Sequence, residues 1–153
     1  MIKLKLEDYH DYLKIQEDAG RRSIFDPVRK KYVSVQPEEL VRQSWIALLH
    51  ESYNIPYSVL AVEKTIMLNG ISRRYDLVFF TKARPSVLFE FKSFNTALKP
   101  EAAFQAAQYN LKLEVPYIVV SNGLEHHAFK VDYSSKSTSP CDSLDFLLDY
   151  SKT

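Results

Sequence analysis

Arg73-Arg74-Tyr75-Asp76-Leu77-Val78-Phe79-Phe80, followed after a short polar break by Ser86-Val87-Leu88-Phe89-Glu90-Phe91-Lys92, decides the fold. Both runs are apolar and aromatic, as strands of a buried sheet are. Both carry ionisable residues where such strands want hydrophobes. Side chains alternate along a strand, so Glu90 and Lys92 share one face while Phe89 and Phe91 share the other. If the two strands pair as a hairpin, Asp76 lies beside Glu90. Two carboxylates and an ammonium then share one patch at the end of an oily sheet, a placement that suits binding.

Working outward, Val59 to Leu68 reads as the strand before this pair. Asn69-Gly70 is a strong two-residue hairpin signal, and Ile71 to Thr81 is the return strand. Lys82-Ala83-Arg84-Pro85 reads as a second turn, and Val87 to Lys92 closes a three-strand meander. Upstream, Pro37 sits where a helix tolerates proline. Glu38 and Glu39 follow in the first turn, which the macrodipole favours. Val41, Trp45 and Leu48 form a buried helical stripe to about Tyr53, before Asn54 and Pro56. Downstream, Pro100 opens an alanine-rich helix over 101–114, after a loop from Asn95 to Lys99. Tyr117-Ile118-Val119-Val120 is a continuous apolar run, the mark of a strand buried on both faces in parallel pairing. Strand, helix and strand imply a right-handed crossover. His127 to Tyr133 reads as an edge strand, Ser134 to Pro140 as a polar loop, and Asp142 caps a last helix through Tyr150. Ile24 to Val35 is a small hairpin turning at Asp26-Pro27, with Arg29, Lys30 and Lys31 at its tip. Residues 1–23 read as an N-terminal arm. The expectation is one α/β domain: an arm (1–23), a core (24–133) and a C-terminal loop and helix (134–153), with a mixed sheet of about five strands.

Composition bounds the chemistry. The chain of 153 residues is 46% hydrophobic and 25% charged, as globular domains are. Only 3 glycines argue against a glycine-rich phosphate loop. A net charge of +1 excludes a strongly basic nucleic-acid binder, so any such contact comes from local patches. The single cysteine, Cys141, excludes an internal disulfide and a zinc cluster, and a cytoplasmic location is the expectation. No apolar run approaches membrane-spanning length.

Two hard oxygen ligands suit Mg²⁺ or Mn²⁺, which take one or two carboxylates and keep several waters. A metal there polarises a phosphoryl oxygen and acidifies bound water. Lys92 is placed to orient that water or to neutralise charge on the phosphate. Asp76 followed by Glu90-x-Lys92 resembles the PD-(D/E)xK nuclease superfamily. Ile24-Phe25-Asp26-Pro27-Val28-Arg29-Lys30-Lys31, Pro37-Glu38-Glu39-Leu40-Val41-Arg42-Gln43, Arg74-Tyr75-Asp76, Gln105-x-x-x-Tyr109-Asn110 and Ser121-Asn122-Gly123 narrow the likeness. Together they resemble the N-terminal nuclease domain of type I restriction enzyme R subunits. The resemblance implies a restriction-endonuclease-like fold and hydrolysis of DNA phosphodiesters. Asp76, Glu90 and the Phe91 carbonyl would hold Mg²⁺ or Mn²⁺, and Lys92 would serve catalysis. Glu39 or Glu38, with Glu39 preferred, matches the acid of the first helix, and Gln105 and Tyr109 a glutamine–tyrosine pair of RecB-like nucleases. Tyr75 stands where the superfamily motif often has proline. The helicase motor that follows this domain in R subunits is absent from these residues, so a stand-alone copy is the expectation. Its implied partners are DNA, other restriction-modification subunits and a second copy of itself, for cutting both strands.

Each signal has a plainer reading. Asp76, Glu90 and Lys92 can form a structural salt-bridge cluster, and the whole domain can be a catalytically silent module that binds nucleic acid or protein. Arg29 and Lys30 are either phosphate contacts or a solvated turn. Arg74 pairs either with a phosphate or with Glu90. His126 and His127 lack companions at metal spacing and read as surface or edge-strand residues. Trp45 reads as core.

Overall fold

The computed structural model describes residues 2–68, 70–110 and 114–150. After a 3-10 helix at Leu6–Tyr12 come β1 (Ile15–Asp18), β2 (Arg21–Asp26) and β3 (Lys31–Ser34), then α1 (Pro37–Tyr53). A 3-10 turn at Tyr57–Val59 leads into β4 (Leu60–Leu68), β5 (Ile71–Thr81) and β6 (Arg84–Phe91). Then follow α2 (Pro100–Tyr109), β7 (Tyr117–Ser121), β8 (His126–Asp132), β9 (Ser137–Cys141) and a 3-10 helix at Asp145–Asp149. The architecture is mixed α/β, with a six-strand mixed sheet in the order β4-β5-β6-β7-β8-β9 and a separate three-strand sheet β1-β2-β3.

Local signals account for most of this. Pro37 lies at the first turn of α1, where its missing N–H costs nothing. Asn54 ends α1 in the left-handed region at φ 56°, a conformation asparagine tolerates better than most residues. The meander is present, with β4 and β5 antiparallel from Leu60↔Phe79 to Leu68↔Ile71. Asn69, the first half of the expected hairpin signal, lies outside the described residues. β7 pairs parallel to β6, with Val87↔Tyr117 through Phe91↔Ser121. Alternation along these strands makes two cores. Leu77, Phe79, Val87, Phe89, Phe91 and Val119 face Trp45, Leu48 and Leu49 of α1. Val78, Leu88, Ile118 and Val120 face Ala103 and Ala107 of α2. The alanines keep α2 close to the sheet, while Trp45 is fully buried in the opposite layer.

Four sequence expectations need correction. The sheet has six strands rather than about five, because 137–141 forms an edge strand rather than a loop. Its serines and Pro140 hide it from pattern reading, and an edge position is where a strand tolerates proline. β8 is consequently an interior strand, paired on both sides. The second turn is only Lys82-Ala83, both with positive φ (50° and 64°), as a two-residue hairpin loop demands. β6 therefore starts at Arg84. The last helix is a five-residue 3-10 turn with no side-chain cap from Asp142. Packing of Phe146 against Tyr117, rings 4.1 Å apart and nearly parallel, holds it there. Residues 1–23 are partly structured: Ile2 N–H donates to the His126 carbonyl at 3.0 Å, and Ile2 and Leu6 join the α1-side core. The expected end of the second helix at 111–113 lies outside the described residues, as does 151–153. Among the described residues no helix is long and apolar enough to cross a membrane.

Candidate active site

The site begins where β5 and β6 part. Their pairing runs to Leu77↔Phe89, which sets Asp76 opposite Glu90 at the next position. Beyond it the Phe91 N–H, unable to find a β5 carbonyl, donates to Asp76 Oδ2 at 2.7 Å. That bond draws the Asp76 carboxylate in between the strands. Lys92 follows β6 directly, its N–H donating to the Ser121 carbonyl at 2.9 Å while its side chain is exposed. Asp76, Glu90, Arg73, Arg74 and Asn110 are among the residues lining a small cavity of about 130 Å³.

The loop after Lys92 is held from β7. Asn122 Nδ2 donates to the Thr96 carbonyl at 2.8 Å, and Asn122 Oδ1 accepts from the N–H groups of Leu124 and Glu125. Gly123 has φ +91°, and a Cβ there would meet Val41 Cγ2 at 3.0 Å. Ser121-Asn122-Gly123 thus supports the strand end that carries Lys92.

On the α1 side, guanidinium groups gather the acids. Arg42 is 6% exposed and donates from Nη1 to Glu39 Oε1 at 2.9 Å. Its Nη2 lies 3.7 Å from Glu63 Oε1 and 3.9 Å from Asp76 Oδ1. Arg29 bonds Asp26 and donates to Glu39 Oε1 at 2.6 Å. Arg74 pairs with Glu63 rather than Glu90. Burial alone would raise the Glu63 carboxyl, but Arg74, Arg42 and Arg29 outweigh it and hold the group below its ordinary value. Burial works against the Arg29 charge, yet its bonds to Asp26 and Glu39 leave it raised. The turn that carries Arg29 therefore presents Lys30, which is exposed, as its outward cation.

On the other side stands α2. Gln105 and Tyr109, one turn apart, are both exposed. The Arg73 guanidinium carbon lies 3.2 Å from the Tyr109 ring centroid. Asp76, Glu90, Arg74 and, through Arg73, Tyr109 therefore gather at one end of the sheet, with Lys92 next along β6 and Gln105 one turn back on α2. Glu39 joins them through Arg42, which lies beside Asp76, and through Arg29, which reaches Glu63 at 3.9 Å.

The donor chemistry fits a hard cation. Asp76 keeps Oδ1 outside the bond to Phe91, and Glu90 is its cross-strand neighbour. Two carboxylates suffice for Mg²⁺, which fills its remaining positions with water. Among the described residues no group of three or more His, Cys, Asp or Glu side chains is close enough to share an ion. Glu39 and Glu63 are held instead by arginine.

Glu63 escaped the sequence reading, and Arg42, Arg73 and Asn110 stand in its motifs without a site role of their own. Glu63 was within reach of it: counting back from Gly70 in two-residue-turn register puts 63 opposite 76, the offset that Val62↔Leu77 and Lys64↔Tyr75 show. Glu63 itself has φ 53°, a local break in β4. Arg42 was readable as the i+3 partner of Glu39. His126 corrects the surface reading, being fully buried. Its ring bonds Ser121 Oγ at 2.8 Å and the Leu4 carbonyl at 3.2 Å, edge-on to Trp45.

Burial pushes His126 down to about 4 from 6.5; His127 pushes the same way, and the Leu4 carbonyl and Glu125 oppose. The unfolded chain thus binds a proton between these values that the folded chain refuses. Stability is complete above about pH 6.5 and falls by roughly 2 kcal/mol by pH 5. Urea unfolding at pH 7 and pH 5 is expected to show this loss, and His126→Gln to flatten the slope. Equal slopes would assign the acid sensitivity elsewhere.

A family model describing the type I restriction enzyme R protein N terminus (HSDR_N) matches residues 37–144. That span includes α1, the meander, both acid-bearing strands and α2, and leaves out the β2–β3 hairpin. No curated protein matches the chain. With the match covering well over half of the sequence, the chain belongs to the family of type I restriction enzyme R protein N-terminal domains.

Proposed function

We propose that this domain is a Mg²⁺- or Mn²⁺-dependent deoxyribonuclease of restriction-endonuclease-like fold that hydrolyses phosphodiester bonds. The observation that carries the reading is Asp76 opposite Glu90 on a small cavity, with Lys92 next along the strand, in a member of this family. Asp76 and Glu90, with the Phe91 carbonyl, would hold the ion. When bound, it would supply Lewis-acid polarisation of the phosphate and a more acidic water.

The chain's own residues do the rest. Lys92, exposed and anchored through its backbone to Ser121, orients the attacking water and offsets charge on the phosphate. Glu39 acts at one remove, by fixing the guanidinium that lies beside Asp76. Gln105 and Tyr109 contact the DNA from α2, and Arg74 and Lys30 are exposed cations for flanking phosphates. Arg29 contributes by holding Glu39. DNA is the proposed partner, together with other restriction-modification subunits or a second copy that cuts the opposite strand.

Purified protein with Mn²⁺ is expected to nick or linearise supercoiled plasmid. Lys92→Ala is expected to lower the rate by about a hundredfold or more without changing the thermal melt. A parent that cuts no DNA form, or a Lys92→Ala protein that cuts as well as the parent, overturns the reading in favour of a non-catalytic module.

A further inference from the structure

We infer that the Tyr109 ring is a stacking platform for an unpaired nucleobase, so that the substrate class is DNA with single-stranded character at the site rather than continuous duplex. The inference rests on the nuclease reading for the identity of the ligand, and on the following geometry for its form.

Tyr109 is 70% exposed, although it lies in the last turn of a helix packed against the sheet. One face of its ring is covered by the Arg73 guanidinium, 3.2 Å from the ring centroid. Arg73 is itself fixed. Its Nη1 donates to Asn110 Oδ1 at 2.9 Å and to the Tyr109 carbonyl at 3.4 Å. Asn110 is buried and donates to the Ala106 carbonyl at 2.8 Å, which ties the assembly back into α2. An exposed tyrosine normally swings among rotamers, and ordering it on binding costs free energy. Here the ordering is built into the fold, so a ligand laid on the open face meets a preorganised surface.

The location selects the ligand. Arg73 and Asn110, which hold the ring, also line the cavity of Asp76 and Glu90. A strand with its phosphate at that cavity brings its neighbouring nucleotide to the ring. Bases inside duplex DNA present no free face, whereas an unpaired base does, and stacking tolerates any sequence. The cation beneath the ring adds attraction without a sequence requirement. Gln105, exposed one turn earlier on the same helical face, offers an amide to the edge of such a base.

The test is fluorescence anisotropy without metal, in EDTA, so that cleavage does not enter. Labelled oligothymidylate and a blunt duplex of matched length are titrated with the parent, Tyr109→Leu and Tyr109→Phe. The expected result is tighter binding of oligothymidylate than duplex by the parent. Tyr109→Leu should weaken oligothymidylate binding about tenfold while duplex binding moves little, and Tyr109→Phe should bind both as the parent does. Three results would overturn the inference: unchanged oligothymidylate binding by Tyr109→Leu, an equal loss on both DNAs, or a Tyr109→Phe protein as weak as Tyr109→Leu. The last would assign the role to the hydroxyl. A parent that binds duplex and cuts it with Mn²⁺ but shows no single-strand preference sinks this inference alone. A parent that neither binds nor cuts any DNA sinks the nuclease reading with it.

Discussion

Asp76→Asn is expected to abolish saturable Mn²⁺ binding in calorimetry and to lower DNA cleavage at least about a thousandfold, roughly 4 kcal/mol of transition-state stabilisation. The substitution keeps the shape and an oxygen that can still accept from the Phe91 N–H. It removes the charge that, beside Glu90, makes the patch a hard-cation site. Of the two acids Asp76 is the one tied to both layers, through Phe91 on β6 and Arg42 on α1. Its loss should therefore exceed that of Glu90→Gln. The melting curve without metal should stay close to that of the parent. Undiminished Mn²⁺ binding by Asp76→Asn would place the ion elsewhere, and no binding by the parent would leave the site dependent on DNA or without a metal.

Arg42→Met is expected to destabilise the protein by about 3–5 kcal/mol in urea or guanidinium unfolding. Arg42 is a buried cation that meets acids from three elements: Glu39 on its own helix, Glu63 on β4 and Asp76 on β5. Methionine matches much of its length but leaves Glu39, which is only 8% exposed, with Arg29 and Gln43 alone. An uncompensated buried carboxylate is costlier than the lost attraction itself. Arg29 still reaches Glu39 and keeps the loss from being larger. The double variant Glu39→Met with Arg42→Met should recover part of the stability, since the stranded charge goes with its partner. If Arg42→Met unfolds within about 1 kcal/mol of the parent, the network is only a surface ion-pair cluster, and Arg42 neither holds Glu39 nor steadies Asp76.

These two variants separate the parts of the site that could be read in advance from those that could not. Asp76, Glu90 and Lys92 were visible because each breaks a local rule: a charge inside an apolar, alternating run. Their pairing could be expected from the hairpin but not counted from its turn: the two-residue Lys82-Ala83 loop alone sets Asp76 opposite Phe89, and the irregularity between Phe79 and Phe80 moves it to Glu90. A count from Gly70 in the preceding hairpin does reach Glu63, although the φ of 53° there departs from ordinary strand geometry and no local pattern announces it. Gln105 and Tyr109 could be paired by helical spacing, and both lie exposed on α2 beside the sheet end. The parallel placement of β7 was readable from four successive apolar residues, as a strand covered on both faces must be.

By itself, then, the amino-acid sequence determined the meander, the register of its first hairpin, the crossover strand and which side chains share a strand end. Each of these follows from periodicity and turn chemistry over a few residues. Only the tertiary structure decided what those side chains touch. It took the packing of α1 on the sheet to bring Arg42 within 3.9 Å of Asp76, and the end of α2 to lay Tyr109 on Arg73. The closing of the N-terminal segment over β8 turned His126 from an expected surface residue into a buried base. The sixth strand exists because β8 offers an unpaired edge, which supplies backbone bonds to a segment too polar to declare itself. These contacts join residues far apart in the chain, and their energies depend on burial and charge that no local window contains.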